Sequence, residues 1–272
     1  MKKTTLNIAI SGALGKMGIN LIHEIYHTKN VFLTAAIVKN NSPYVQKNVG
    51  KITKIGEINI PITNSLEENI NKFDILIDFT NPKTTLKNLE ICAVAKKNII
   101  IGTTGFTQEE QKKIKLLSKK IGIVQSSNYS IGINLMISLL EKTTQIIGKN
   151  TDIEIIEAHH NKKIDAPSGT SLEIGKKICK TMNWDFSKQA IYERHSSMKS
   201  RANNEIGFSS IRAGNIVGEH KVLFANSGEH IEITHKAISR SIFSKGAIQA
   251  AIWLFSKNYK NGLFNMNHIL NI

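Results

Sequence analysis

Aromatic residues are scarce: ten Phe, five Tyr and two Trp make up 6% of the 272 residues. That leaves little material for a base-stacking or sugar-stacking platform. Cysteine is scarcer still, with Cys92 and Cys179 alone. Two thiols exclude a disulfide framework and a four-cysteine zinc site, and they suit a reducing cytoplasm. No apolar run approaches the ~18 residues of a membrane-spanning helix. The stretch LNIAI at 6–10, behind a basic start, is too short for the apolar core of a secretory signal. No membrane partner is expected.

Acidic residues are also few, 21 against 36 Lys and Arg, for a formal charge of +15. The cations are scattered through every segment of a chain also rich in Ile and Asn. That is a compositional bias and not a phosphate-binding patch, so nucleic acid is not expected as a partner. A positive field still helps to draw in small anions. The length suits about two domains, each able to bury a core without staples.

What is present begins with a short apolar strand at 6–10, the loop Ser11-Gly12-Ala13-Leu14-Gly15-Lys16-Met17-Gly18, and a helix through Leu21, Ile22 and Ile25. Further strands are expected at 31–38, 75–79, 99–101 and 121–124. The stretch around residues 40–65 is loop-rich. A helix starts at Pro82, and another at the capping box formed by Thr107 and Glu110. Apolar strands alternating with helices imply a parallel sheet covered on both faces. The pattern changes near residue 130. Helices are expected at 135–147, 168–182 and 247–254, and strands at 152–158, 206–212, 221–225 and 229–235, with a hairpin turn at Asn226-Ser227-Gly228. Residues 185–205 read as loop, and Gly262 as a stop signal after the last helix.

Gly12, Gly15 and Gly18 allow a tight turn and close approach of backbone to a phosphate, in front of a helix N-terminus. The spacing is GxxGxxG, so the strand–turn–helix context carries the dinucleotide reading more than the glycines do. A tight strand–helix corner without a ligand is the bland alternative. Small and hydroxyl residues follow three strands at the edge where such a ligand lies. They are Phe79-Thr80, Gly102-Thr103-Thr104-Gly105 and Ser126-Ser127-Asn128-Tyr129.

The densest chemistry lies in the segment Glu157-Ala158-His159-His160-Asn161-Lys162-Lys163-Ile164-Asp165-Ala166-Pro167-Ser168-Gly169-Thr170-Ser171. His159 and His160 can exchange protons near neutral pH. Lys163 can donate a proton or pair with an anion. Ser168 is a natural N-cap, which places Gly169 and Thr170 in a first turn able to hold a carboxylate. Two adjacent His without a spaced third ligand give poor zinc geometry, so no metal is expected.

The loops GALGKMG and IGTTGF, and above all EAHHNKKIDAPSGT, resemble the dihydrodipicolinate reductase family (4-hydroxy-tetrahydrodipicolinate reductase) of lysine biosynthesis. DILIDFTNP at 74–82, IRAGNIVGEH at 211–220 and GEHIEITHKAISR at 228–240 extend the resemblance along the chain. It implies an α/β fold: a Rossmann-like dinucleotide-binding domain from 1–129 plus 240–272, and an α+β domain from 130–239 for substrate and tetramerisation. It implies reduction of 4-hydroxy-tetrahydrodipicolinate, a small dicarboxylate, to tetrahydrodipicolinate with NADPH or NADH, by a homotetramer. His159 and Lys163 fall on the family's catalytic positions; His160, Gly169 and Thr170 fall on its substrate contacts. The expected cofactor contacts are Gly12, Ala13, Leu14, Gly15, Lys16, Met17, Lys39, Gly102, Thr103, Thr104, Ser126, Ser127, Asn128 and Tyr129.

The chain departs from the family after its second strand. Where an acid followed by Arg is common, it has Val38-Lys39. Val38 cannot accept hydrogen bonds from an adenosine ribose, and Lys39 offers a charge to a 2′-phosphate, so NADPH is expected to be preferred over NADH. Three rivals remain in view. A semialdehyde-type dehydrogenase needs a nucleophilic Cys, and both Cys lie in apolar helical patterns. A nucleotide-sensing regulator leaves HHNKKIDAPSGT idle. A nucleic-acid module explains the charge alone.

Overall fold

The computed structural model describes residues 4–56, 58–195, 199–258 and 260–272. The chain forms two compact units, one running to residue 131 and resuming at 241–271, the other taking 132–240. Its elements in order are β1 (Leu6–Ser11), α1 (Lys16–His27), β2 (Val31–Ile37), α2 (Val49–Thr53), β3 (Ile62–Thr63), β4 (Ile75–Asp78), α3 (Pro82–Val94), β5 (Asn98–Ile101), α4 (Gln108–Leu117) and β6 (Gly122–Gln125). Then come α5 (Ile131–Ile147), β7 (Asp152–His159), α6 (Gly169–Met182), α7 (Phe186–Gln189), β8 (Ala190–Ile191), β9 (Ile206–Arg212), β10 (Gly218–Ala225), β11 (His230–Ala237), α8 (Ser241–Ser256), β12 (Gly262–Phe264) and α9 (Met266–Leu270).

In the first unit seven parallel strands lie in the order β12-β6-β5-β4-β1-β2-β3. Parallel strands need helical crossovers, so both faces are covered and the strands read as nearly continuous apolar runs. Ile8, Ile10, Ile77 and Ile100 point to one face with Leu21, Ile22, Ala247, Ala251 and Leu254; Ala9, Leu76, Ile99 and Ile101 point to the other with Leu89, Cys92 and Ile114. Each buried Ile or Leu among them contributes roughly 1.5–3 kcal/mol. The helix starts follow local chemistry. Asn81 accepts from Thr84 N–H ahead of Pro82, and Thr107 and Glu110 complete a reciprocal capping box.

The second unit has a mixed sheet in the order β11-β10-β7-β9-β8. β10 runs antiparallel to both β11 and β7, and β9 runs parallel to β7 and β8. One face carries Ile153, Ile155, Phe208, Val222 and Phe224 and is packed by Ile133, Met136, Ile137 and Leu140 of α5 and Ile174 and Ile178 of α6. The other face presents Ile156, Ile211 and Leu223 among the ion pairs Lys221–Glu232 and Lys236–Glu219.

Three expectations need correction, and the loop-rich stretch at 40–65 also carries two short elements: α2 is capped by Asn48 and β3 pairs with β2. The helix expected from residue 135 starts at Ile131, because Asn128 Oδ1 accepts Ser130 N–H and closes the turn before it. Within 185–205, Asp185 caps α7 and β8 pairs with β9. Gly262 does not end a helix. α8 closes at Asn258, left-handed at φ 53°, whose N–H donates to Phe255 O. Gly262, at φ 132°, opens edge strand β12 and donates to Ser118 O.

Candidate active site

In the first unit the carboxyl ends of β1, β2 and β4 open on a cleft of about 950 Å³, lined among others by Gly12, Gly15, Val38, Lys39, Thr80 and Asn88. Gly12 sits at φ +75°, and a Cβ on Gly18 would overlap the Gly12 carbonyl. Only glycine lets the turn fold back this tightly. Gly15 stands at the N-cap of α1 and no side chain caps this helix, so its first-turn N–H groups face outward. Gly15 and Lys16 are exposed, Leu14 and Met17 partly so. The site therefore fits an anionic phosphate group.

Ala13 is fully buried and belongs to the core, so its side chain is withdrawn from any ligand. Tyr129 is a second such case. Its ring is buried, and its hydroxyl is within bonding distance of the carbonyls of Ile101 and Val124. Burial pushes its pKa well above the ordinary value. As side-chain ligands both expectations are corrected, since packing has claimed the atoms; only backbone remains. Thr103 is likewise buried, with its hydroxyl bonded to Thr85 and Thr80 N–H. Thr104 and Ser127 are exposed, Gly102 and Asn128 partly so, and Ser126 Oγ donates to Asn128 O.

Beneath this cleft is a carboxylate that the sequence reading did not single out. Asp78 is fully buried at the end of β4. Its Oδ1 accepts from Thr80 N–H at 3.0 Å, Thr80 Oγ1 at 2.6 Å and Thr85 Oγ1 at 3.0 Å. Burial pushes its pKa up, against the opposing pull of these donors.

The second unit gathers the His–Lys segment. β7 delivers Glu157 and His159 to the same face, two residues apart. His159 Nδ1 meets Glu157 Oε2 at 2.5 Å. Glu157 is 1% exposed and also takes both guanidinium nitrogens of Arg212, at 2.8 and 2.6 Å, and Ser168 N–H at 3.3 Å. Burial alone would raise the Glu157 pKa; Arg212 and His159 overcome it and bring it down to about 2. The ring of His220 packs edge-on against His159 at 5.2 Å, and its Nε2 lies 3.1 Å from Ser168 Oγ. Burial, with His159 close by, lowers the His220 pKa to about 4.

His160 follows β7 directly, 3.4 Å from Arg240 Nη2. Lys163 is held in the next turn and pairs with both oxygens of Asp165, at 2.8 and 3.0 Å. Ser168 caps α6 by accepting Ser171 N–H, so Gly169 and Thr170 are its first residues. No atom lies within 4 Å of where a Gly169 Cβ would sit, which leaves room for a ligand at this helix start. His159, His160, Lys163, Gly169 and Thr170 thus share one unit, and Glu157, Arg212 and His220 join them. Among the described residues no His, Cys, Asp and Glu group is arranged to hold a metal ion, and no helix is long and apolar enough to cross a membrane.

Both thiols are withdrawn from chemistry. Cys92 and Cys179 are buried, and desolvation pushes the Cys92 thiol far up and that of Cys179 up to about 11. A thiolate nucleophile is not available near neutral pH.

Known proteins match both units. The family described as dihydrodipicolinate reductase, N-terminus, matches residues 6–129, and its C-terminal counterpart matches 132–270. A 4-hydroxy-tetrahydrodipicolinate reductase of Buchnera aphidicola subsp. Schizaphis graminum is 52% identical over 99% of this chain and 98% of its own length. A dipicolinate-bound dihydrodipicolinate reductase from Paenisporosarcina sp. TG-14 superposes with a TM-score of 0.77 at 24% identity, covering 96% and 97% of the two chains. Aspartate semialdehyde dehydrogenase II from Vibrio cholerae shares the fold at a TM-score of 0.56 and 12% identity, over 94% of this chain and 100% of its own. The fold alone therefore spans several dehydrogenases, and the buried thiols argue against the semialdehyde chemistry. With both halves matched in sequence and more than half the residues shared with a full-length relative, the chain belongs to the dihydrodipicolinate reductase family.

Proposed function

We propose that the chain reduces 4-hydroxy-tetrahydrodipicolinate to tetrahydrodipicolinate, with loss of water, in the diaminopimelate route to lysine. The observation that carries this reading is the cluster of His159, His160 and Lys163 beside the α6 start. That cluster offers cations and N–H donors to a dicarboxylate and an acid to the anion that hydride addition leaves.

A nicotinamide dinucleotide supplies the hydride when bound. Gly12, Gly15, Lys16 and Met17 would hold its pyrophosphate. His160 and the backbone at Gly169 and Thr170 hold one substrate carboxylate. Lys163 exchanges its Asp165 partner for the substrate and, with His159, delivers the proton that completes the addition. NADPH is the preferred cofactor and NADH is usable, because Lys39 lines the cleft beside an uncharged Val38. Lys47 stacks on Tyr44 at 5.3 Å and leaves the 2′-phosphate to Lys39. The working assembly is a homotetramer built on the exposed face of the second sheet, where Ile156, Ile211 and Leu223 are left to a second copy.

The test is NAD(P)H consumption with freshly generated substrate. His159→Ala and Lys163→Ala lower kcat by about 10²-fold or more with the fold intact. Near-wild-type kcat in both variants would overturn the assignment. Light scattering that gives a monomer at micromolar concentration would remove the tetramer.

A further inference from the structure

We propose that Arg212 and Glu157 form a positioning pair that fixes the ring of His159 and, through the same guanidinium, the loop that carries Lys163. This rests on the reading that His159 delivers a proton.

The geometry runs across three strands. β9 lies parallel to β7 with His159 opposite Arg212 and Glu157 opposite Ser210. β10 runs on the other side of β7 with His220 opposite Glu157. Arg212 therefore reaches across the strand pair and grips both Glu157 oxygens in a fork, the arrangement that guanidinium favours over ammonium. Its Nη2 also donates to the backbone carbonyl of Asp165 at 2.6 Å. Asp165 in turn holds Lys163. One side chain thus touches the anchor of each proton-bearing residue.

The effect on His159 follows from its two nitrogens. The Glu157 carboxylate can only accept, so Nδ1 of His159 carries a proton and donates. Nε2 is then the atom left to exchange a proton with a ligand, and it lies over Gly218, where a Cβ would come within 3.0 Å. The ring is held at one nitrogen by Glu157, along its edge by His220, and beneath the other nitrogen by a residue with no side chain. The charged or titratable groups around it are Glu157 on β7, Arg212 on β9, His220 on β10, His235 on β11 next to His220, and Lys163 with Asp165 in the loop. Glu157 is the anion in direct contact. Arg212 keeps that anion ionised and aimed, while a neutral His220 brings no competing charge.

The pair acts on the orientation of the His159 ring, not on substrate binding. Glu157→Gln keeps the shape and removes the charge. It lowers kcat about 10- to 100-fold, with KM for 4-hydroxy-tetrahydrodipicolinate and Kd for NADPH within about twofold. Arg212→Lys, which keeps a charge without the fork, lowers kcat by less. Gly218→Ala displaces the ring without altering charge, and kcat falls with it. In a His159→Gln background, Glu157→Gln costs nothing further, as expected of groups acting through one another. Circular dichroism and NADPH binding verify the fold of each variant. If His159→Gln is crippled while folded Glu157→Gln and Arg212→Lys keep wild-type kcat, the positioning pair is wrong. If His159→Gln itself retains wild-type kcat, the proton-donor reading falls first, and the pair with it.

Discussion

Asn88 donates its side-chain amide to the buried carboxylate of Asp78 at 2.7 Å, and the same nitrogen lies 2.9 Å from Ser11 Oγ. A single acid thereby ties together the ends of β1 and β4 and the helix that carries Asn88. Thr80, Asn88 and Ser11 all line the cleft at the carboxyl ends of β1, β2 and β4, so the polar knot shapes the floor of that cleft from below.

Asp78→Ala removes the shared acceptor of several buried donors, which keep second partners at Thr103, Thr85 and Ser11. The net loss of stability is expected to match one or two orphaned donors, about 2–4 kcal/mol at about 1–3 each, and NADPH binding to weaken several-fold. Urea unfolding and fluorescence titration measure the two effects. Unchanged stability would show that the knot is not a structural element.

Thr170→Pro removes a first-turn N–H from α6 and crowds the space before it, while proline remains tolerable so early in a helix. KM for the substrate rises and Kd for NADPH does not, because the phosphate loop lies in the other unit. Equal loss of both affinities would contradict separate sites.

Cofactor choice is expected to turn on residues 38 and 39, with wild-type kcat/KM favouring NADPH over NADH. Val38→Glu shifts the ratio toward NADH by adding an acceptor for ribose hydroxyls and repelling a 2′-phosphate, and Lys39→Ala weakens NADPH selectively. A wild-type preference for NADH refutes this.

Acid sensitivity comes from His220. Its pKa falls from 6.5 to about 4 on folding, so on acidification the unfolded chain takes up its proton first. The stabilisation from keeping it neutral is full above about pH 6.5 and is lost as pH drops toward 4, an effect of about 3 kcal/mol. His235, lowered by burial, adds in the same direction. Glu157 acts in a lower window, between about 4.5 and 2. His220→Gln flattens the loss of stability measured by urea unfolding between pH 7 and 4.5; an unaltered slope would exclude His220 as its source.

Local signals were readable wherever chemistry acts over a few residues. The glycine turn, Asn81 before Pro82, Thr107 with Glu110, and Ser168 before Gly169 all stand where spacing places them. Two-residue strands such as β3 have no period to detect, and α9 rests on Asn265 capping only five residues. Arg212 escaped notice because its partner lies 55 positions away, a distance no periodicity encodes. Glu157 did leave a trace: it is an acid that follows the apolar Ile153 and Ile155 on the inward face of their strand. A buried anion in such a register demands a cation, and the search for one leads to the neighbouring strand.

The first unit takes its core from both ends of the chain, since Ala247, Ile248, Ala251, Leu254 and Met266 pack with Leu6, Ile8, Leu21 and Ile22. On the ribosome this separates the timetables of the two halves. The strands and helices of 132–240 emerge as an uninterrupted stretch and can condense as soon as they clear the exit tunnel. The dinucleotide half, although translated first, keeps an apolar flank bare until the last thirty residues arrive, which is the interval in which a chaperone has something to hold.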